Sequence, residues 1–116
     1  MLLLHIVDRS AWERAAVTGE YRADSLETEG FVHLSTPEQV LLPANRFYRG
    51  RTGLVLLVID SARLTAPLRF EAVPGHGTFP HLFGPLNTNA VLSILTFEPD
   101  ENGTFFLPEA LRDATN

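Results

Sequence analysis

Four histidines, His5, His33, His76 and His81, are the residues of this chain best suited to proton chemistry near neutral pH. His5 stands alone in the apolar run Leu2 to Val7, where the bland reading is a core imidazole satisfied by hydrogen bonds. His33-Leu34-Ser35 closes a second apolar run, with His33 and Ser35 on one face if the run is a strand. An imidazole and a hydroxyl beside a helix start suit a ribose or a phosphate. Ser35 also suits a helix N-cap, and the two roles are compatible. The third segment runs Gly75-His76-Gly77-Thr78-Phe79-Pro80-His81-Leu82-Phe83-Gly84-Pro85-Leu86-Asn87. Phe79 and Phe83 are placed to sandwich a planar ring, with His81 as a proton shuttle. The competing reading is a plug that closes the end of a sheet with its aromatics as core.

Other chemistries are excluded by composition. The 9 basic residues are all arginine and cysteine is absent, so no lysine Schiff base, thiolate nucleophile or zinc–sulfur site exists. The histidines fall in no helical metal pair, and no carboxylate stands at a recognised ligand spacing, so no metal is expected. No Gly-x-Gly-x-x-Gly follows the first strand; Gly-Lys-Ser and Gly-x-Ser-x-Gly are also absent.

These residues need elements to position them. Leu2 to Val7 reads as a buried strand. Ser10-Ala11-Trp12-Glu13 has capping-box form, Trp12, Ala15 and Ala16 share a helical face, and Gly19 stops the helix. Tyr21 to Thr28 reads as a polar connection. Phe31 to Leu34 is a strand with Phe31 and His33 on one face and Val32 and Leu34 on the other. Ser35-Thr36-Pro37-Glu38-Gln39 opens a second helix, capped by Ser35 with Glu38 or Thr36 with Gln39, that breaks near Pro43 and resumes over 45–48. Leu54 to Ile59 is the clearest central strand, Leu68 to Val73 a shorter one, and Pro74 to Pro85 a loop. Ala90 to Phe97 is the last main strand. Phe105-Phe106-Leu107 suits an edge strand, and 110–116 reads as a fraying end. Strand, helix, strand, helix and then several strands predict an α+β fold.

At 116 residues, 45% hydrophobic and 20% charged, the chain reads as a single domain over 1–116, with its core at about 2–97 and a tail over 98–116. The net charge of -5 disfavours binding to a nucleic-acid backbone. The apolar start is short and lacks a preceding base or a cleavage site, so it reads as a strand and not a signal peptide. No run approaches membrane-span length, and the expected address is the cytoplasm.

Taken together, His5, Trp12, Gly19-Glu20-Tyr21, Ser25-Leu26, Glu29 to Ser35, Gln39, Ala44-Asn45, Phe47-Tyr48, Asp60, Phe70-Glu71 and Phe79 to Leu86 resemble the bacterial family called domain of unknown function 952. The resemblance runs from residue 2 to about residue 97. That family is similar in turn to the ADP-ribosyltransferase-like superfamily, which includes toxins, poly(ADP-ribose) polymerases and tRNA 2′-phosphotransferases. The resemblance implies a split β core with two or three short helices around a cleft holding NAD as a possible substrate. It implies that His5 contacts the adenine-side ribose, that His33-Leu34-Ser35 lies near the nicotinamide-side ribose, and that Tyr48 or Phe47 stacks on nicotinamide. The superfamily's late-strand Glu has no counterpart in Leu86-Asn87-Thr88-Asn89-Ala90. A glycosidic cleavage gains from a carboxylate there, and Asn can only hydrogen-bond.

The expected function is therefore that of an ADP-ribosyltransferase-like enzyme acting on NAD or a related ADP-ribose or nucleotide ligand. His33 and His81 are its acid–base candidates, and Glu71 substitutes for the missing acid. His5, Arg9, Ser35, Asn45, Tyr48, Phe79 and Phe83 are the expected ligand-binding residues, with Arg9 neutralising a pyrophosphate. The expected partner is a small molecule, with a tRNA acceptor left open. An inactive nucleotide- or metabolite-binding module of the same fold is the alternative, and a structural domain with core histidines is the third reading.

Overall fold

Burial on both faces makes Leu54–Asp60 (β4) the centre of the molecule, as six consecutive apolar residues demand. In a computed structural model that describes residues 1–112, Leu2–Asp8 (β1) and Val91–Phe97 (β8) flank it in one antiparallel sheet of order β1-β4-β8. One face of this sheet packs Leu3, Val55, Leu57 and Ile59 against Val32, Leu34, Leu82 and Leu86. The other packs Leu4, Ile6, Leu54, Leu56 and Phe97 against Val40, Ala44 and Phe105.

A second antiparallel sheet has the order β3-β6-β5, from Val32–His33 (β3), Gly77–Leu82 (β6) and Leu68–Val73 (β5). Glu20–Tyr21 (β2) and Leu86–Asn87 (β7) form a two-stranded ribbon. A bridge between Leu4 and Ser35, with backbone bonds of 2.7 and 2.9 Å, joins the edge of β1 to the chain leaving β3. The α+β class holds. Among the described residues four short α-helices complete it: Arg9–Thr18 (α1), Asp24–Thr28 (α2), Leu41–Phe47 (α3) and Glu109–Arg112 (α4). None is long and apolar enough to cross a membrane.

The largest departure from the sequence pattern is at Pro74 to Pro85. Only Pro74, Gly75 and His76 form a turn; from Gly77 the chain is β6, the central strand of its sheet. Gly75 and Gly77 take positive φ, which lets the hairpin close. Pro80 is tolerated because its carbonyl accepts from the Leu34 amide at 3.1 Å, a bond that does not need the missing N–H.

Smaller departures have local causes. Helix α1 begins at Arg9, not after a Ser10 cap, because the Arg9 amide donates to the Gly53 carbonyl at 3.0 Å. Asp8 holds the N-cap position, but its carboxylate is drawn to Arg51 at 3.0 and 3.2 Å. Ala15 is buried in α1 and Ala16 is exposed; Gly19, at φ 86°, ends the helix as expected. The expected connection over 21–28 contains Tyr21 of β2 and all of α2. Gln39 accepts from the Thr36 amide at 3.2 Å, as the capping pattern requires, but 37–40 form turns and α3 starts at Leu41. Pro43 then falls in the first helical turn, where no intrahelical N–H bond is lost.

The region after residue 97 is no peripheral tail. Phe105 is 1% exposed and stacks on Phe97 with ring centroids 4.6 Å apart. It is held by Asn45, whose side chain accepts from the Phe105 amide at 2.7 Å and donates to its carbonyl at 3.1 Å. Residues 105–107 form no edge strand, and Leu111 joins the same core. The expected fraying of 110–116 falls in part on residues 113–116, outside those described.

Replacing Phe105 by Ala should lower unfolding stability by about 3–5 kcal/mol, the cost of emptying a buried aromatic site. Denaturant unfolding measures it, and a loss under about 1 kcal/mol would return the segment to the periphery.

Candidate functional site

Cross-strand pairing builds the site. In β3 and β6, His33 lies directly opposite His81, and the rings meet edge to face with centroids 5.5 Å apart. On the other side of β6, Arg69 is opposite His81, so Glu71 sits on the diagonal of the same sheet face. Its Oε1 accepts from His81 Nδ1 at 2.8 Å. Glu29 makes the matching contact to His33 Nε2 at 2.9 Å. Phe31 lies flat on the His81 ring at 4.0 Å and meets His33 edge-on at 4.9 Å.

These contacts leave one atom without a partner. His81 is 4% exposed, its Nδ1 is committed to Glu71, and its Nε2 is buried with no hydrogen bond. An unpaired buried nitrogen costs free energy that the fold recovers only if something binds it. With Nδ1–H directed at Glu71, Nε2 of the neutral ring is a lone-pair acceptor, the geometry of a general base.

His81 lines a largely apolar cavity of about 430 Å³, together with His33, Ser35, Arg46, Phe47, Tyr48, His76 and Phe79. Its far wall comes from α3, whose approach is tied to β6 by Gln39 Nε2 donating to the Thr78 carbonyl. A second cavity of about 430 Å³ adjoins it across His33 and Tyr48, and His5, Tyr21, Arg14, Arg22, Arg51, Asp8 and Asp24 line this polar one. All four histidines thus gather, around two hollows and not one.

His5 lies between the sheets. Its Nδ1 donates to the His33 carbonyl at 2.7 Å, so its Nε2 accepts the Tyr21 hydroxyl at 3.2 Å. Burial lowers its pKa from 6.5 to about 4, against the raising effect of the His33 carbonyl bond. Burial likewise pushes Tyr21 up to about 12, so the phenol keeps its proton and donates it.

Of the residues expected at the site, His33, His81 and Glu71 come together, and Ser35, Tyr48 and Phe79 line the apolar cavity beside them. His5 lines the polar cavity. Three residues are placed elsewhere. Arg9 donates to Thr96 Oγ1 at 3.1 Å and lines neither cavity. Asn45 is occupied by Phe105, since its two amide atoms match that residue's backbone. Phe83 packs against Phe31 and under the Arg69 guanidinium, 5.3 Å from its ring centroid, so it forms no sandwich with Phe79. Asn87 is held by Thr65 and by the Arg63 carbonyl and lines neither cavity.

Sequence reasoning missed Glu29, Tyr21 and Arg51. Glu29 carried a usable signal in its position four residues before His33. Arg51 carried none, because its partner Asp8 is remote in the chain. Among the described residues no group of three or more histidines and carboxylates is arranged to hold a metal ion.

A model of the family described as "Protein of unknown function (DUF952)" matches residues 6–94. The chain is similar to the crystal structure of protein CC0527 from Caulobacter crescentus, with 32% identity over 96% of this chain and 98% of that one and a TM-score of 0.87. The solution structure of CC0527 is similar at 32% identity, over 97% and 95% of the two chains, with a TM-score of 0.79. No curated protein matches the chain.

The depressed His5 pKa makes stability depend on acid. Between pH 6.5 and about 4 the unfolded imidazole binds a proton that the folded one refuses, so stability is present above 6.5 and is lost on acidification through that window. At about 1.4 kcal/mol per pH unit this amounts to ~3 kcal/mol. In His5→Gln the slope of unfolding free energy against pH over this window should flatten; an unchanged slope would assign the acid sensitivity to other groups.

Proposed function

The chain belongs to the DUF952 family, and on that premise we propose that it is an enzyme of ADP-ribosyltransferase-like fold acting on NAD or a related ADP-ribose or nucleotide ligand in the cytoplasm. The buried, unpartnered Nε2 of His81 carries this reading. A nitrogen without a protein partner, on a ring that a carboxylate orients at Nδ1 and that lines a cavity walled by aromatic rings, is suited to take a proton from a ligand hydroxyl.

With NAD, the bond that breaks joins nicotinamide to its ribose, and nicotinamide leaves with the electron pair as a neutral base. Water or an acceptor hydroxyl forms the new bond to that ribose carbon, and its proton passes to His81 Nε2. Glu71 stabilises the resulting imidazolium and supplies the negative charge that Asn87 lacks. Phe47, Tyr48 and Phe79 offer faces to the departing ring, and His33 with Ser35 borders the ribose.

Free nicotinamide, released on incubation with NAD and resolved by chromatography, is the direct readout. His81→Ala and His33→Ala, with fold confirmed by circular dichroism, should each lower its release about 10²–10⁴-fold. Unchanged turnover in both would end the catalytic reading. Binding without turnover is the second reading, and it is favoured by the absence of any acid in residues 86–90 and by the engagement of Glu29 and Glu71 with histidines. It predicts stabilisation of about 2.7 kcal/mol by NAD or ADP-ribose at a hundred times the dissociation constant, with no product.

A further inference from the structure

The polar cavity beyond His33 and Tyr48 shares only those two residues with the proposed reaction, and its lining is unusual for this chain. The protein carries 14 acids and 9 bases, but three guanidiniums face two carboxylates here, Arg14, Arg22 and Arg51 against Asp8 and Asp24. Even with Glu20, the partner of Arg22, counted in, the acids here do not outnumber the bases as they do in the chain as a whole.

The guanidiniums also retain unused donors. Arg51 engages Asp8 through Nη2 alone, and Arg22 engages Glu20 through Nε alone. Among the described residues Arg14 makes no ion pair or hydrogen bond. Arginine has five N–H groups in a planar fork, so each of the three keeps a pair suited to an oxyanion. The Arg51 guanidinium lies 5.2 Å from the Tyr48 ring centroid, which holds it at the wall shared with the apolar cavity. The Tyr21 hydroxyl spends its proton on His5, so it adds an acceptor and no anion of its own.

We infer that the polar cavity is an oxyanion site for the phosphate portion of a ligand whose ring occupies the apolar cavity. The ligand class is thus a planar ring linked to one or more phosphates, crossing the wall made by His33 and Tyr48. This deepens the nucleotide reading and rests on it for the ring; the oxyanion chemistry stands on the arginines alone.

Inorganic pyrophosphate, which has no ring, is the first probe, titrated calorimetrically into the whole chain at low salt. The wild-type protein should bind it, less tightly as salt is raised. Arg14→Gln should weaken binding about tenfold or more, the worth of one charge-assisted contact. Arg14→Gln with Arg51→Gln should abolish it, and His81→Ala should leave it unchanged. Since Arg51→Gln also breaks the Asp8 bridge, the Arg14 variant alone decides the matter if the double variant fails to fold. Absence of pyrophosphate binding, or equal binding in Arg14→Gln, overturns the site. ADP-ribose should bind more tightly than pyrophosphate; equal affinity overturns the linkage between the cavities. Pyrophosphate binding without nicotinamide release would count against the catalytic reading only.

Discussion

One buried imidazole ties the three sheets together. His5 belongs to β1, donates to the backbone of β3 at His33 and accepts from Tyr21 of β2. Strand alternation puts it on the face of Leu3, where β1 turns towards the second sheet. Burial there costs the ring its charge, and without both partners each nitrogen would cost about 1–3 kcal/mol. The two-residue strands β2 and β3 are too short to hold their places by backbone pairing alone. A neutral His5 with two directed bonds supplies what they lack, and it works only in the uncharged form that burial enforces.

The placement of β3 decides the site. Fixing the His33 carbonyl inward sends the His33 ring outward, opposite His81 on β6. Phe31, just before β3, then covers His81, His33 on β3 meets it edge to face, and Glu71 on β5 restricts its rotation, so three neighbouring groups hold the imidazole. Such a ring has little freedom to reorient towards a different partner. His81 is therefore a fixed feature of the cavity lining.

The opposite wall depends on a separate part of the core. Helix α3 carries Arg46, Phe47 and, at its end, Tyr48, and it is anchored below by Ala44 and by the Asn45–Phe105 clamp. Residues remote in sequence from the histidines thus set the width of the cleft. Tyr48 faces both hollows, its hydroxyl pKa raised by burial, and the Arg51 guanidinium beside it is steadied by Asp8. Fold and site share these contacts, since Tyr48 packs on the same core cluster as Phe105, although Asn45 and Phe105 themselves do not line the cleft.

Much was legible in the chain alone. The long strands β1, β4, β5 and β8, the helix stop at Gly19 and the outward His33 between inward Val32 and Leu34 all follow from local patterns, because hydrophobic period and glycine conformation act over a few residues. The segment Gly77 to Leu82 shows where local pattern stops: its glycine and proline indicate loop, and only pairing with β3 and β5 makes it a strand. The partners of Arg9, Asn45 and Phe83 were equally beyond reach, since Thr96, Phe105 and Phe31 stand far from them in the chain. The sequence determined which side chains were able to do chemistry and which elements would carry them. Tertiary structure decided which of them meet, because register between distant strands is set by the packing of the whole core.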